Sequence, residues 1–95
     1  MVKHIVMWKL KDEYKNRALE LENGLEGLKN KVEVIKSIQV GINFNPSDNA
    51  FDLVLNSEFA TKEDLDSYQK NPEHLKVATK VRESVCSRHV VDYEF

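Results

Sequence analysis

Two side chains in the C-terminal half of the sequence, Tyr68 and His74, have the types and spacing to transfer protons. Between them, Asn71 is a good helix N-cap, and Pro72 suits the first helical position because its missing N–H needs no partner there. Proline disfavours helix at the residue before it, so one helix ends at about Tyr68–Lys70 and another begins. An imidazole and a phenol on these two helix ends could face one cavity and exchange protons with a ligand. The alternative is a solvated His74 and a core Tyr68.

Hydrophobic periodicity predicts the elements that position these side chains. Alternation of apolar and polar residues predicts four strands, and a spacing of three and four predicts helices. The predicted strands are Val2–Leu10, Val34–Ile42, Phe51–Phe59 and about Arg88–Phe95. The predicted helices are Asp12–Lys31, a short helix capped at Thr61 that carries Leu65 and Tyr68, and a helix from Asn71-Pro72 that carries Leu75, Ala78, Val81 and Val85.

This β-α-β-β-α-β order predicts the ferredoxin-like plan. The fold class is α+β, with one domain over residues 1–95 and a four-stranded antiparallel sheet whose helices cover one face. The second face has no cover from this chain, although apolar residues are expected on it, namely Ile5, Met7, Val54 and Val90. Packing two such faces together would give a symmetric dimer.

Composition and charge exclude several classes of function. The net charge of −2 gives no basic patch for nucleic acid. The single cysteine, Cys86, rules out an internal disulfide and a cysteine-built metal site, and no metal or cofactor motif is present. The apolar runs are too short for a membrane span, and no signal peptide precedes the first strand, so a cytoplasmic location without membrane or nucleic-acid partners is expected.

Several stretches match one known family from the first strand to the last. They are Lys3–Val6 with Lys9–Glu13, Gly41–Asn43, Phe51–Leu55 with Glu58–Phe59, Asp64–Tyr68, Asn71–His74 and Val90–Glu94. Together they resemble the stress-responsive α/β-barrel domain family, the dimeric α+β barrels, over essentially the whole chain. The resemblance implies a homodimer whose two sheets pack face to face into a barrel, with the helices outside.

The resemblance also implies site residues. One plant member of the family, olivetolic acid cyclase, closes a linear polyketide by aldol condensation without a metal or organic cofactor. Other members are known mainly as stress-induced, stable oligomers. By position, His4, Tyr68 and His74 correspond to the polar residues that line the cyclase-like pocket between sheet and helices.

The chain departs from the cyclase-like pattern at three places. Asn71 stands where the pattern has the first histidine of His-Pro-x-His, and Leu53 stands where it has a further pocket histidine. The positions nearest to the cyclase's helical tyrosine are Leu25 and Glu26, and neither supplies a phenol.

Aldol-type cyclisation needs a base to remove a proton next to a carbonyl and a donor for the oxygen that becomes negative. His74 would be the base, with Tyr68 holding its ring or donating to the oxygen, and with His4 as a second polar contact. His4 could equally be a strand histidine bonded to the backbone. Apolar residues would form the ligand-binding wall, although an ordinary core needs the same residues; the wall residues expected here are Trp8, Phe51, Leu53, Leu55 and Phe59.

Three functions follow as alternatives. The first is a dimeric domain that binds a small hydrophobic molecule without turning it over. The second is a cofactor-free lyase or cyclase that works through His74 and Tyr68. The third is a structural or oligomer-forming domain with no pocket. The first is preferred because two polar pocket positions of the cyclase pattern are missing, namely the histidine at the position of Leu53 and the tyrosine on the first helix. The sequence leaves open whether the protein is an enzyme.

Overall fold

The four predicted strands form one antiparallel sheet in the computed structural model, which describes all residues, Met1–Phe95. The strand order is β2-β3-β1-β4, as the ferredoxin-like plan requires. The strands are β1 (Val2–Leu10), β2 (Ile35–Ile42), β3 (Leu53–Phe59) and β4 (Val85–Glu94). The helices are α1 (Ala18–Glu26), α2 (Lys62–Lys70) and α3 (Pro72–Ser84), with 3₁₀ turns at Asp12–Arg17 and Gly27–Asn30.

Strand alternation decides which side chains reach the core. In β1, Val2, Val6 and Leu10 are buried, whereas the side chains that alternate with the buried set are half-buried or exposed. The buried side chains face the helices, and the core includes Leu21 and Leu25 of α1. The predicted α+β fold, with helices on one sheet face, is confirmed.

The prediction of one continuous helix over Asp12–Lys31 is wrong. The segment divides into a 3₁₀ turn, α1 and a second 3₁₀ turn, with non-helical backbone at Tyr14 and α1 ending at Gly27. The Arg17 guanidinium lies 3.8 Å from the centre of the Tyr14 ring, which supports the kink. Glycine is a poor helix former, so the ending of α1 just before Gly27 follows from the sequence.

The predicted break between the second and third helices is confirmed by its caps. The hydroxyl of Thr61 accepts a hydrogen bond from the Asp64 N–H at 3.0 Å, which starts α2. The side-chain oxygen of Asn71 accepts one from the Glu73 N–H at 2.9 Å, which starts α3 with Pro72 in its first turn. The break therefore places Tyr68 near the end of α2 and His74 near the start of α3.

The boundary between α3 and β4 differs from the prediction. The strand begins at Val85, three residues before Arg88, because Val85 already pairs with Leu10 across a bulge. The register pairs Val90 with Val6, whose side chain is buried on the helix side of the sheet. The assignment of Val90 to the open face is therefore wrong, since directly paired residues share a face, and Val91 takes that position opposite Ile5.

Candidate functional site

A cavity of about 330 Å³ lies between the sheet and the helices. Volumes of this size are typical of sites for small molecules. The predicted site residues that line it are His4, Trp8, Leu55, Tyr68 and His74. The third alternative, a structural domain with no pocket, is contradicted by this cavity.

Three predicted wall residues, Phe51, Leu53 and Phe59, do not line the cavity. Leu53 is buried and pairs with Trp8 on one side and Ile42 on the other. Alternation puts Leu53 and Leu55 on the same sheet face, but Leu53 is one pleat closer to the loop that joins β2 and β3. Leu53 is therefore a core residue beside the cavity and not part of its lining.

Tyr68 is both a core aromatic and a cavity residue. Its ring is fully buried and packs 5.0 Å, centre to centre, from the ring of Phe59. Its hydroxyl is buried without a hydrogen-bond partner in the protein. Burial raises the pKa of Tyr68 to about 12, so the hydroxyl is protonated at neutral pH and can donate. A buried donor without a partner is costly, and a ligand oxygen would satisfy it.

His74 lies directly against Tyr68, with the two ring centres 4.4 Å apart. It is half-buried, so the alternative of a solvated first-turn residue does not hold. Its Nδ1 lies 3.2 Å from the Gln69 carbonyl oxygen. A carbonyl oxygen can only accept, so Nδ1 carries the hydrogen and Nε2 of the neutral ring keeps its lone pair. This is the form of histidine that can accept a proton.

The electrostatic surroundings keep His74 neutral. Burial lowers its pKa below the ordinary value of 6.5 and outweighs the opposing effect of the Gln69 carbonyl. Electrostatic interactions with His4, Arg82 and Arg88 lower the pKa of His74 further. A neutral His74 at pH 7 is suited to accept a proton rather than to donate one.

The low pKa of His74 makes stability depend on pH. Below pH 6.5 the unfolded chain binds a proton at this histidine that the folded protein takes up only at lower pH. The free energy of unfolding is therefore expected to fall as pH decreases from about 6.5 towards the folded-state pKa. Urea unfolding across this range should show a smaller decrease for His74→Gln. Equal slopes for the two proteins would contradict the prediction.

His4 is the second buried histidine of the site. Its Nδ1 hydrogen-bonds to the carboxylate of Asp92 on β4, so the alternative of a backbone-bonded ring does not hold. Its ring stands edge-on to Tyr68, with centres 6.3 Å apart. The carboxylate fixes the ring orientation, as in other histidine–carboxylate pairs. The sequence analysis did not assign Asp92 to the site, although its position opposite His4 in the sheet follows once the register is known.

Two cavity residues that the sequence analysis missed are Arg82 and Arg88. Arg82 lies eight residues after His74 on α3, and Ala78 lies midway, so all three share one helix face. Arg88 pairs with Trp8 across the β1–β4 ladder and thus faces the cavity side. The helical spacing was visible in the sequence, but the strand register that brings Arg88 alongside was not.

The sheet, its helices and the cluster of His4, Tyr68 and His74 define a ferredoxin-like α+β domain with a cavity of small-molecule size. A family model described as the Stress responsive A/B Barrel Domain matches residues 2–95, and the chain belongs to that family. This agrees with the resemblance seen in the sequence.

Known relatives fit the same family and fold. A stress-response A/B barrel domain-containing protein of Arabidopsis thaliana is 34% identical over 86 residues, which are 90% of this chain and 32% of that protein. The chain thus spans about a third of the length of that relative. A dimeric ferredoxin-like protein of unknown function from Bacteroides fragilis is 38% identical, with a TM-score of 0.89 over 99% of this chain and 95% of that chain.

A hydroxynitrile lyase from Passiflora edulis is a more distant neighbour. It is 20% identical, with a TM-score of 0.85 over 97% of this chain and 90% of that chain. At this identity the likeness is one of fold alone.

Among the helices of the present structure, none has the length and apolar character needed to cross a membrane.

Proposed function

We propose that this protein binds a small, largely apolar molecule in the cavity between the sheet and the helices. The observation that carries the proposal is the buried hydroxyl of Tyr68, which lacks a partner in the protein and lies in a cavity lined mainly by apolar side chains. Such a cavity offers burial for an apolar body and one oriented donor for a ligand oxygen.

The volume limits the size of the ligand. Water occupies about 30 Å³ per molecule in the liquid, so about 330 Å³ has room for roughly ten non-hydrogen atoms. An aromatic ring with a short polar tail has this size. Benzylacetone, which joins a phenyl ring to a methyl ketone, is therefore a suitable probe.

Trp8 provides the measurement, because it is the only tryptophan and it lines the cavity. Titration with benzylacetone should change Trp8 fluorescence in a saturable way in the wild-type protein. In Ala78→Phe, a bulky ring replaces a small cavity-lining side chain, so the fluorescence change should be lost. The circular dichroism spectrum should remain that of the folded protein. Equal binding by Ala78→Phe would place the ligand elsewhere and overturn the proposal. Native mass spectrometry of freshly purified protein would identify any molecule retained from the cell.

A second candidate function is cofactor-free proton transfer of the lyase or cyclase type. It is favoured by the pairing of a neutral His74, whose Nε2 keeps a lone pair, with a protonated Tyr68 hydroxyl whose ring lies 4.4 Å away, centre to centre. His74 would remove a proton next to a carbonyl, and Tyr68 would donate to the oxygen as it becomes negative. His4, held by Asp92, would be a second polar contact to the ligand in the same cavity.

Deuterium exchange tests this second candidate without knowledge of the natural substrate. In D₂O, the wild-type protein should accelerate the exchange of the hydrogens next to the benzylacetone carbonyl. Proton NMR measures this exchange as a loss of signal. His74→Gln should reduce the excess rate by at least a hundredfold, the lower end for a lost general base. His89→Gln is the matched control and should exchange like the wild type. If benzylacetone binds to the wild-type protein but its hydrogens exchange at the uncatalysed rate, proton transfer is contradicted and binding remains the proposed function.

We also propose that the chain forms a homodimer through the open face of the sheet. Several apolar side chains are exposed there without cover from the helices, chiefly Met7, Val54, Val91 and Tyr93. A contiguous apolar face of this kind is unfavourable in water and is typical of an interface. The dimeric descriptions of similar solved structures support this assembly.

A charged residue on the open face should dissociate the dimer. Val54 lies on an inner strand of the sheet, paired with Met7 and Gly41, and is 37% exposed. In Val54→Glu, a carboxylate would lose water on association, so the protein should elute as a monomer in size-exclusion chromatography with light scattering. Leu19→Glu, an equivalent change at an exposed residue on the helical side, should stay dimeric. A dimeric Val54→Glu would show that the chains associate elsewhere.

A further inference from the structure

We propose that the ligand of the cavity is a small organic anion, an apolar molecule with one carboxylate, held by Arg82 and Arg88 at the cavity opening. This inference rests on the proposed binding function and adds the chemical class of the ligand. The two arginines line the cavity and are nevertheless exposed, so they lie where it meets solvent.

Neither guanidinium group is neutralised within the protein. Arg82 and Arg88 form no salt bridge, whereas the third arginine of the chain, Arg17, pairs with Glu83 at 3.4 Å. No aspartate or glutamate lines the cavity. The carboxylate of Asp92 is already bonded to His4. Two uncompensated positive charges therefore stand at one opening in a chain whose net charge is −2.

The two arginines come from different elements and line the same cavity as His74. Arg82 extends from α3 and Arg88 from β4, so the opening lies between these two elements. Both side chains line the same cavity as His74, so two positive charges face one enclosed space. Two positive charges at one cavity are unfavourable for the protein alone, because like charges repel. An anionic ligand would reduce the repulsion between the two guanidinium groups.

The rest of the lining specifies the remainder of the ligand. The walls beside His74 are apolar and include Val6, Trp8, Leu55 and Val81. A ligand that satisfies both regions has an apolar body in the cavity and a carboxylate towards solvent. Guanidinium groups match carboxylates well, because their N–H groups bind the two oxygens in one plane. A second oxygen of the ligand, deeper in the cavity, would accept a hydrogen bond from the Tyr68 hydroxyl.

Hydrocinnamate and its neutral amide, hydrocinnamamide, test this proposal because they differ only in the charged end. Titrations followed by Trp8 fluorescence at low salt should give at least tenfold tighter binding of the acid than of the amide. The preference should shrink as salt is added, since the arginines are exposed to screening. Arg82→Gln and Arg88→Gln should each lower the acid's affinity by about three- to tenfold and leave the amide's affinity unchanged.

The ratio of acid to amide affinity is measured within one protein, so a change in folding does not alter its meaning. Lys36→Gln removes the same charge at an exposed site outside the cavity and should keep the wild-type ratio. Equal affinity of the wild type for acid and amide would overturn the anion proposal and leave the binding function standing. If neither these probes nor benzylacetone alters Trp8 fluorescence, the binding function itself fails, and this inference falls with it.

Discussion

Replacing Phe59 with alanine is expected to lower the free energy of unfolding by about 3–5 kcal/mol. Phe59 is 0% exposed and sits at the end of β3, paired with Val2 of β1 and Ile35 of β2. Its ring also packs against Tyr68, so the change leaves a hole between the sheet and α2. Urea unfolding at a fixed protein concentration measures the effect, and the concentration matters because a dimer is stabilised by mass action.

Phe44→Ala is the matched control, because the Phe44 side chain is 93% exposed. Its free energy of unfolding should change by about 0.5 kcal/mol or less. A similar loss in both variants would mean that Phe44 is covered in solution, for instance in an assembly. A loss below about 1 kcal/mol in Phe59→Ala would contradict the packing of β3 against α2.

Tyr68→Phe is expected to act in opposite directions on stability and on binding. The Tyr68 hydroxyl is buried without a partner, so removing it should leave the free energy of unfolding unchanged or raise it by about 1 kcal/mol. The same change removes the donor to a ligand oxygen, and benzylacetone should bind about five- to tenfold more weakly. Urea unfolding and Trp8 fluorescence measure the two effects on one protein.

A tyrosine with only a structural role would not give this combination. Tyr14→Phe removes the hydroxyl of a tyrosine outside the cavity, keeps the ring that contacts Arg17, and should alter neither quantity. Destabilisation of Tyr68→Phe by more than about 1 kcal/mol would show that the hydroxyl has a partner in the folded protein. Unchanged affinity would show that the ligand does not use this donor.

The break between α2 and α3 could be predicted from the sequence, because its signals are local. Thr61, Asn71 and Pro72 act on backbone groups within a few residues of themselves, so they specify the caps whatever lies around them. The alternation in β1 likewise assigned His4 and Trp8 to the core side. These local patterns, with the resemblance to a known family, predicted the fold and three polar residues of the site.

Tertiary structure alone decided which residues from distant parts of the chain meet. Asp92 bonds to His4, and Arg88 joins His74 and Arg82, only through the register of β4 against β1. A shift of one residue turns every side chain of a strand to the other face, as the wrong assignment of Val90 illustrates. Position along the ladder likewise set Leu53 outside the cavity and Leu55 inside. The sequence by itself thus determined the elements and the reactive residue types, whereas long-range strand pairing decided the composition and charge of the site.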